Sequence, residues 1–463
     1  YPWYAAWDMA FQCIPMAMVD PSFAKNQLIL IMREWYMKPD GQLPAYEWNF
    51  SDVNPPVQAW AALQIYRIEK EQTGKGDIPF LKRIFQKLLI NFTWWINRKD
   101  SNGNNMFEGG FLGLDNIGVF NRSSELPGQM QLEQADGTSW MGMYALNMMD
   151  MALEIAMKDD AFEDTATKFF EQFVLIAEAL NEHGMWSEED KFFYDTLSIA
   201  NADPLQLRIH SIVGITSLFA VSIIEKGKLD KLSDFKKRIT WFETYRLKNK
   251  RFWPNEEKTD GDTLLSLVPM DRLVSLLQRL LNEDEFLSPT GIRALSKYHE
   301  KNPYSVTIDH IHYTIQYDPG DSTSNLFGGN SNWRGPVWMP INYLIIQSIR
   351  KYGAFYGDHL KVEYPVGAGT RLNLVQVADE LTSRVISLFE KDREGNTKQY
   401  GTYNWFYSRP GNEHLHLFYE YFHGDTGQGL GACHQTGWTA LVAELIRERH
   451  PEPRAIESLP AIE

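Results

Sequence analysis

The chain has 463 residues, 44% hydrophobic and 23% charged, so it can bury a large core and is not a disordered or fibrous polypeptide. Its 60 acidic against 45 basic residues leave a net charge of −15, which excludes a nucleic-acid or anionic-membrane surface as the main partner. Cys13 and Cys433 are the only cysteines and no apolar run reaches spanning length, which excludes a disulfide framework, a zinc-finger spacing and a membrane segment.

Aromatic residues make up 13% of the chain, with 15 Trp, a surplus that suits either a thick core or a site where sugar C–H faces pack on rings. The chain opens at Tyr1 without an initiator Met, so the lack of a visible signal peptide carries no information. With two cysteines, a soluble, cytoplasmic setting is the expectation, and the oligomeric state is left open.

In chain order, Trp7-Asp8 comes first, in an aromatic run from Trp3 to Phe11. An Asp beside Trp rings suits a sugar hydroxyl, and it equally suits a helix cap. A helix is expected from about 20 to 36, then a loop over 40–56 too rich in Pro, Gly and Asn to be helical. That loop carries Tyr46 and Trp48, and aromatic-laden loops line binding sites. Apolar residues then return every three to four positions at about 57–72, 77–98, 137–156, 160–182, 208–226, 231–247, 262–281, 290–299, 337–353, 371–390 and 435–449. Strand alternation is scarce, at Phe192-Phe193-Tyr194 and Ser305-Val306-Thr307-Ile308. No repeat of solenoid length is visible. About a dozen helices joined by alternating long and short loops describe an all-α fold, an (α/α)6 barrel or six-hairpin toroid, with long loops at one end building the site.

Between helices, Asp100, Asn102, Asn104 and Glu108 place oxygen-bearing side chains around Gly103. That pattern suits a hard cation such as calcium, and Asp-Ser-Asn-Gly is also an ordinary Asx turn. Asp115 follows in an apolar, Gly-rich loop, where a carboxyl tends to keep its proton and can serve as a general acid. Asp136 opens an apolar helix; capping is the favoured reading, with substrate contact the lesser one. Arg334, between Trp333 and Trp338, can orient a carboxylate, bind hydroxyls or simply stack on the rings. Glu420 lies in Phe418-Tyr419-Glu420-Tyr421-Phe422-His423, where desolvation among rings raises basicity, as a general base needs. The alternative is a structural carboxylate on a strand edge.

Together, Trp7-Asp8, Gly113-Leu114-Asp115-Asn116, Asp136-Gly137-Thr138-Ser139-Trp140, Trp333-Arg334-Gly335-Pro336-Val337-Trp338 and Tyr419-Glu420-Tyr421-Phe422-His423-Gly424-Asp425 resemble glycoside hydrolase family 63 over nearly the whole chain. That family includes the processing α-glucosidase I (mannosyl-oligosaccharide glucosidase) and bacterial α-glucosidases. The resemblance implies an (α/α)6 barrel and inverting hydrolysis of an α-glucoside, with Asp115 as acid and Glu420 as base. It puts Trp7, Asp8, Trp333, Arg334 and Trp338 on sugar-binding positions, and His423 joins them from the Glu420 motif. The loop from Asp100 to Glu108 resembles a calcium loop of some bacterial members, so a structural Ca2+ is the one cofactor expectation; the chemistry itself requires none.

Family members often carry an N-terminal β-sandwich, so a single (α/α)6-barrel catalytic domain over residues 1–463 is expected, with an upstream β-sandwich and the barrel's first helix both candidate omissions. Inversion requires the two carboxyl groups to lie roughly 6.5–9.5 Å apart, with a water between base and sugar. The alternatives are a hydrolase of α-mannosyl- or α-glucosyl-glycerate, a phosphorylase on the same barrel, and a non-catalytic sugar-binding protein.

Overall fold

The computed structural model describes residues 4–449, apart from 99–102, 104, 109, 111, 125, 127–129, 200–202, 259, 309, 330 and 434–436. Among the described residues, the body is built from these helices: α1 Ala6–Val19, α2 Pro21–Ile31, α3 Gln58–Thr73, α4 Ile78–Ile96, α5 Ala135–Ala156, α6 Phe162–Glu182, α7 Ile212–Ile215 with a 3-10 turn over Thr216–Phe219, α8 Ser233–Lys248, α9 Met270–Leu280, α10 Met339–Tyr356, α11 Leu374–Ile386 and α12 Leu441–Arg449. Local chemistry sets several ends. Asp20 caps α2 through the Phe23 amide at 2.9 Å, and Asp77 caps α4 through Phe80 at 3.0 Å. Asn373 and Gln376 form a reciprocal capping box on α11. Gly74, left-handed at φ 71°, closes α3.

Six of these helices form a closed circuit. α1 packs on α3, α3 on α5, α5 on α7 and its 3-10 turn, that turn on α10, α10 on α12, and α12 back on α1. α2, α4, α6 and α11 each pack against a member of the circuit. α5 shows what an inner position demands: every residue is buried except the partly exposed Asp150 and Glu154. A helix apolar all round belongs inside a large core. By contrast α8, packed on α6, buries only Phe235, Ile239 and Arg246.

One continuous hydrophobic core runs through the helices. A satellite core of Val119, Phe120, Leu197, Leu207, Ile209, Leu295, Ile308 and Ile315 sits under the loops. It is built by small antiparallel sheets, among them the hairpin Tyr304–Ile308 and Ile311–Ile315.

The helical periodicity overcalls three segments. The stretch 208–226 is the short α7 followed by strand Val221–Ile224; 262–281 begins as strand Thr263–Ser266; and 290–299 is strand Gly291–Ile292 and a turn of helix at Tyr298–Lys301. In each, short apolar runs buried on all sides look alike in helix and strand. α1 has Pro15 inside it and buries one stripe, Ala6, Trp7, Ala10, Phe11, Cys13, Ile14 and Ala17.

Candidate active site

Glu420 belongs to strand Tyr419–Phe422, paired antiparallel with Gly429–Cys433. The register shifts between Tyr419 and Tyr421, a local irregularity that re-aims the side chain between them. Opposite lies Gly431 at φ +68°, where a Cβ would fall 2.6 Å from Glu420 Oε2. Glycine is needed there for its backbone conformation and for space. The Ala432 amide donates to Glu420 Oε2 at 3.1 Å, and the Trp438 indole donates to the Glu420 carbonyl at 3.2 Å. Phe422 and Val337 exchange backbone hydrogen bonds of 2.8 and 2.9 Å, tying this strand to the entry of α10.

Asp115 sits on an irregular loop. Two residues just before it, Leu112 at φ +53° and Gly113 at φ +69°, are left-handed. A buried Leu in that region is strained and persists only where its surroundings dictate it. A Cβ on Gly113 would meet the Trp7 ring at 2.5 Å, so the loop lies directly against α1.

Side chains do the rest of the holding. Ser331 Oγ donates to Asp115 Oδ2. Asn116 accepts from the Trp333 amide at 2.7 Å and donates to Asn332 Oδ1 at 3.0 Å. Asn332 donates in turn to the Asp318 and Gly320 carbonyls at 2.7 and 2.9 Å. Arg334 donates to the Asn116 and Gly118 carbonyls at 2.7 and 3.0 Å. Of the roles considered for Arg334, the geometry is that of a clamp on the Asp115 loop.

Asp8 stands in the first turn of α1. Asp8 and Asp115 keep part of their surface open, yet lie deep in the protein mass. Burial, then the Glu420 charge, pushes Asp8 up to about 7, against the favourable backbone amide of the helix start. Burial also pushes Asp115 up to about 7, assisted by the charges of Glu420 and Asp52 and opposed by the Ser331 hydrogen bond. The charge of Glu420 reaches both Asp8 and Asp115, and that of Asp115 reaches Asp8, so the three carboxyls, from a strand, α1 and a loop, share one site. Asp52, buried and itself raised chiefly by burial, flanks it.

Behind the carboxyls is a stack of indoles. Trp333 and Trp338 lie parallel, 3.9 Å between centroids, with Tyr421 next at 4.5 Å. Trp7 packs on Trp333 at 6.1 Å and edge-on to Trp438 at 5.6 Å. Trp7, Trp333 and Trp338 are at most 3% exposed, so their faces are spent on one another and they brace the site.

The structure places Asp136 at the second position of α5 rather than at the residue before it, with its Oδ1 accepting from the first-turn Gly137 amide at 3.0 Å. Its carboxylate is fully buried and held bidentately by Arg122 at 2.7 and 2.8 Å, and Arg122 also reaches Asp195 at 3.1 Å. The first-turn amide of α5, on Ala135, is taken by Asp195 at 2.8 Å. Both oxygens of Asp136 are therefore occupied by Arg122 inside the protein.

Tyr46 is exposed, its backbone bridged to Ala5 just before α1. Trp48 is exposed and stacks on Tyr36 at 6.1 Å. His423 accepts from the Asp425 and Thr426 amides through Nδ1, which leaves the proton on Nε2, and burial lowers its pKa. Of the calcium set, Asp100, Asn102 and Asn104 lie outside the described residues; Glu108 is partly buried and acts on Arg98. Sequence reasoning missed Ser331, Asn332, Asp52 and Gly431; in a Gly/Asn/Ser loop such residues read as turn formers, and only their long-range partners give them a role.

The sequence profile of the mannosylglycerate hydrolase MGH1-like glycoside hydrolase domain matches residues 1–439. Among proteins, the chain is 50% identical to the uncharacterized protein YMR196W of Saccharomyces cerevisiae, over 97% of this chain and 43% of that protein. It is 28% identical to the probable mannosyl-oligosaccharide glucosidase of Schizosaccharomyces pombe, over 40% of this chain and 17% of that protein. The chain thus spans less than half the length of these relatives. Among solved structures, the GH63 mannosylglycerate hydrolase from Thermus thermophilus in complex with Tris and D-glycerate shares the fold, with a TM-score of 0.58 at 16% identity, over 96% of this chain and 94% of that one. The same hydrolase in complex with glucose gives 0.56 at 15% identity, over 96% and 93%. With its five motifs in order and the domain profile spanning most of its length, the chain belongs to the MGH1-like glycoside hydrolases of family 63.

Proposed function

We propose that the chain is an inverting glycosidase that cleaves α-glucosidic bonds of a neutral oligosaccharide or small glucoside, on an (α/α)6 barrel whose inner ring is the closed helix circuit. The observation that carries this reading is the mutual field of Asp8, Asp115 and Glu420. Asp115, raised to about 7, keeps a substantial protonated fraction near neutral pH and gives that proton to the glycosidic oxygen. Glu420 takes a proton from the water that attacks the opposite face, and the sugar leaves as the β-anomer. Asp8, on the helix start, accepts from substrate hydroxyls, and Tyr46, Trp48 and His423 are rim contacts.

A second reading, hydrolysis of an α-glycoside of glycerate, is favoured by the fold neighbour that holds D-glycerate. The charge pattern weighs against it. A carboxylate on the leaving group would sit within a few ångström of Asp115, whose charged influences are Glu420 and Asp52, both of its own sign. Among the described residues, Arg293 and Lys297 are paired with Asp425 at 2.9 and 3.3 Å, Arg122 with Asp136 and Asp195, and Arg334 spends Nε and Nη2 on two loop carbonyls. A screen of neutral α-linked gluco- and manno-disaccharides beside glycerate glycosides, with the first-formed anomer read by proton NMR, tests the proposal. Faster cleavage of the glycerate glycosides favours the second reading. An α-anomer product ends the inverting mechanism, and phosphate-dependent sugar release makes the chain a phosphorylase. The calcium proposal for the Asp100–Glu108 loop concerns stability alone: chelation lowers Tm and added Ca2+ restores it, or the proposal fails.

A further inference from the structure

α8 presents a face that the catalytic reading does not use. Trp241 is 65% exposed and Tyr245, one turn on, is 53% exposed, the two rings near-parallel at 5.8 Å and 10°. Residues four apart lie one above the other on a helix, so both rings stand on one outward stripe. Beside Trp241 runs a shallow groove of about 560 Å³, lined also by Asp230, Ser233, Lys236, Lys237, Thr240 and Thr244. From Ser233 to Thr244 the helix rises about 16 Å, roughly three pyranose rings.

The lining distinguishes the occupant. A protein-docking face centres on apolar side chains with the charged ones at its rim. Here one aromatic wall borders hydroxyls, the Lys236–Asp230 pair and Lys237, itself paired with Asp234 at 3.1 Å. Thr240 and Thr244 donate back to the Lys236 and Thr240 carbonyls at 3.0 and 2.8 Å, so each hydroxyl oxygen keeps lone pairs for an incoming O–H. Lys236 and Asp230 pair at 2.6 Å, both about half exposed, offering donor and acceptor side by side. Rings for C–H faces beside clustered donors and acceptors are what a neutral saccharide requires.

We infer that the α8 face is a second carbohydrate-binding site, separate from Asp8, Asp115 and Glu420, that holds a neutral oligosaccharide along Trp241 and the Thr240–Thr244 stripe. The inference rests on the reading of the chain as a carbohydrate enzyme for its ligand class, but not on the catalytic assignments. Its role is to keep longer substrates at the surface of the enzyme.

The test uses the whole chain with Glu420→Gln, so that ligand survives, and titrates a maltoheptaose probe by calorimetry and tryptophan fluorescence. The expected result is two classes of sites, one of which disappears in Trp241→Ala and weakens at least fivefold in Thr244→Val. In the chain with Glu420 intact, Trp241→Ala leaves turnover of a p-nitrophenyl α-glucoside unchanged and lowers turnover of long α-glucans severalfold. Identical maltoheptaose binding with and without Trp241 overturns the inference. So does concentration-dependent dimerisation that Trp241→Ala abolishes, since the face is then a self-association surface. Trp241-dependent binding in a chain that hydrolyses no α-glucoside upholds this site while the catalytic reading fails.

Discussion

The two central carboxyls are supported in opposite ways. Glu420 rides on a strand whose place is set by main-chain bonds to Gly429–Cys433 and Val337. Asp115 rides on a loop with left-handed residues before it, held by the side chains of Ser331, Asn116, Asn332 and Arg334. Main-chain bonds survive most substitutions, whereas a side-chain clamp is lost with a single one. The acid side of the site should therefore be the fragile side, and the base side sensitive only where glycine makes room for it.

Removing the groups themselves is the largest break. Glu420→Gln and Asp115→Asn should each lower kcat on a cleaved α-glucoside by about a thousandfold or more, with circular dichroism unchanged. Either variant staying within tenfold of the parent removes that residue from its role. Next is Arg122→Met, which leaves the buried Asp136 and Asp195 without their cation. Denaturant unfolding should show a loss of about 3–5 kcal/mol, the scale for breaking a buried ion pair from one side.

The comparison is sharpened by a matched pair. Arg334→Ala frees only the Asp115 loop and should cost about 10–100-fold in kcat through misplacement of the acid. Gly431→Ala should act instead on Glu420, with a comparable loss. The pH profiles tell them apart: Arg334→Ala moves the alkaline limb and Gly431→Ala leaves it in place. Equal shifts in both would show that the supports are not independent.

Acidity offers a smaller readout. With Asp115 raised from 3.8 to about 7, activity should fall as pH rises through about 7. The sign for stability follows from the same shift. The folded chain binds the proton more tightly than the unfolded one, so the contribution of Asp115 is full below pH 4 and declines as pH rises to 7. Asp115→Asn should thus gain in Tm over the parent between about pH 5 and pH 8. Smallest of all, Trp48→Ala should leave stability within about 0.5 kcal/mol and raise KM for longer substrates only.

Much was legible in the residues alone. Caps and breakers at Asp20-Pro21, Asp77 and Gly74 mark real helix ends, because they act through neighbours one turn away. The strands at 221–224 and 263–266 were not legible, since burial on all sides erases the periodicity that separates strand from helix. The resemblance carried by five segments in order grouped Asp8, Asp115 and Glu420 as one site without showing what each residue touches.

What the amino-acid order determined by itself is most of the long helices, the family and the carboxyls worth testing, because these depend on spacing and residue type within short stretches. Only the tertiary structure decided that Asp136 belongs to Arg122, that Arg334 clamps the Asp115 loop, and that the indoles of Trp333 and Trp338 face each other. Those outcomes rest on partners up to more than two hundred residues away, and the field that raises Asp8 and Asp115 exists only when the chain brings like charges together in a desolvated space.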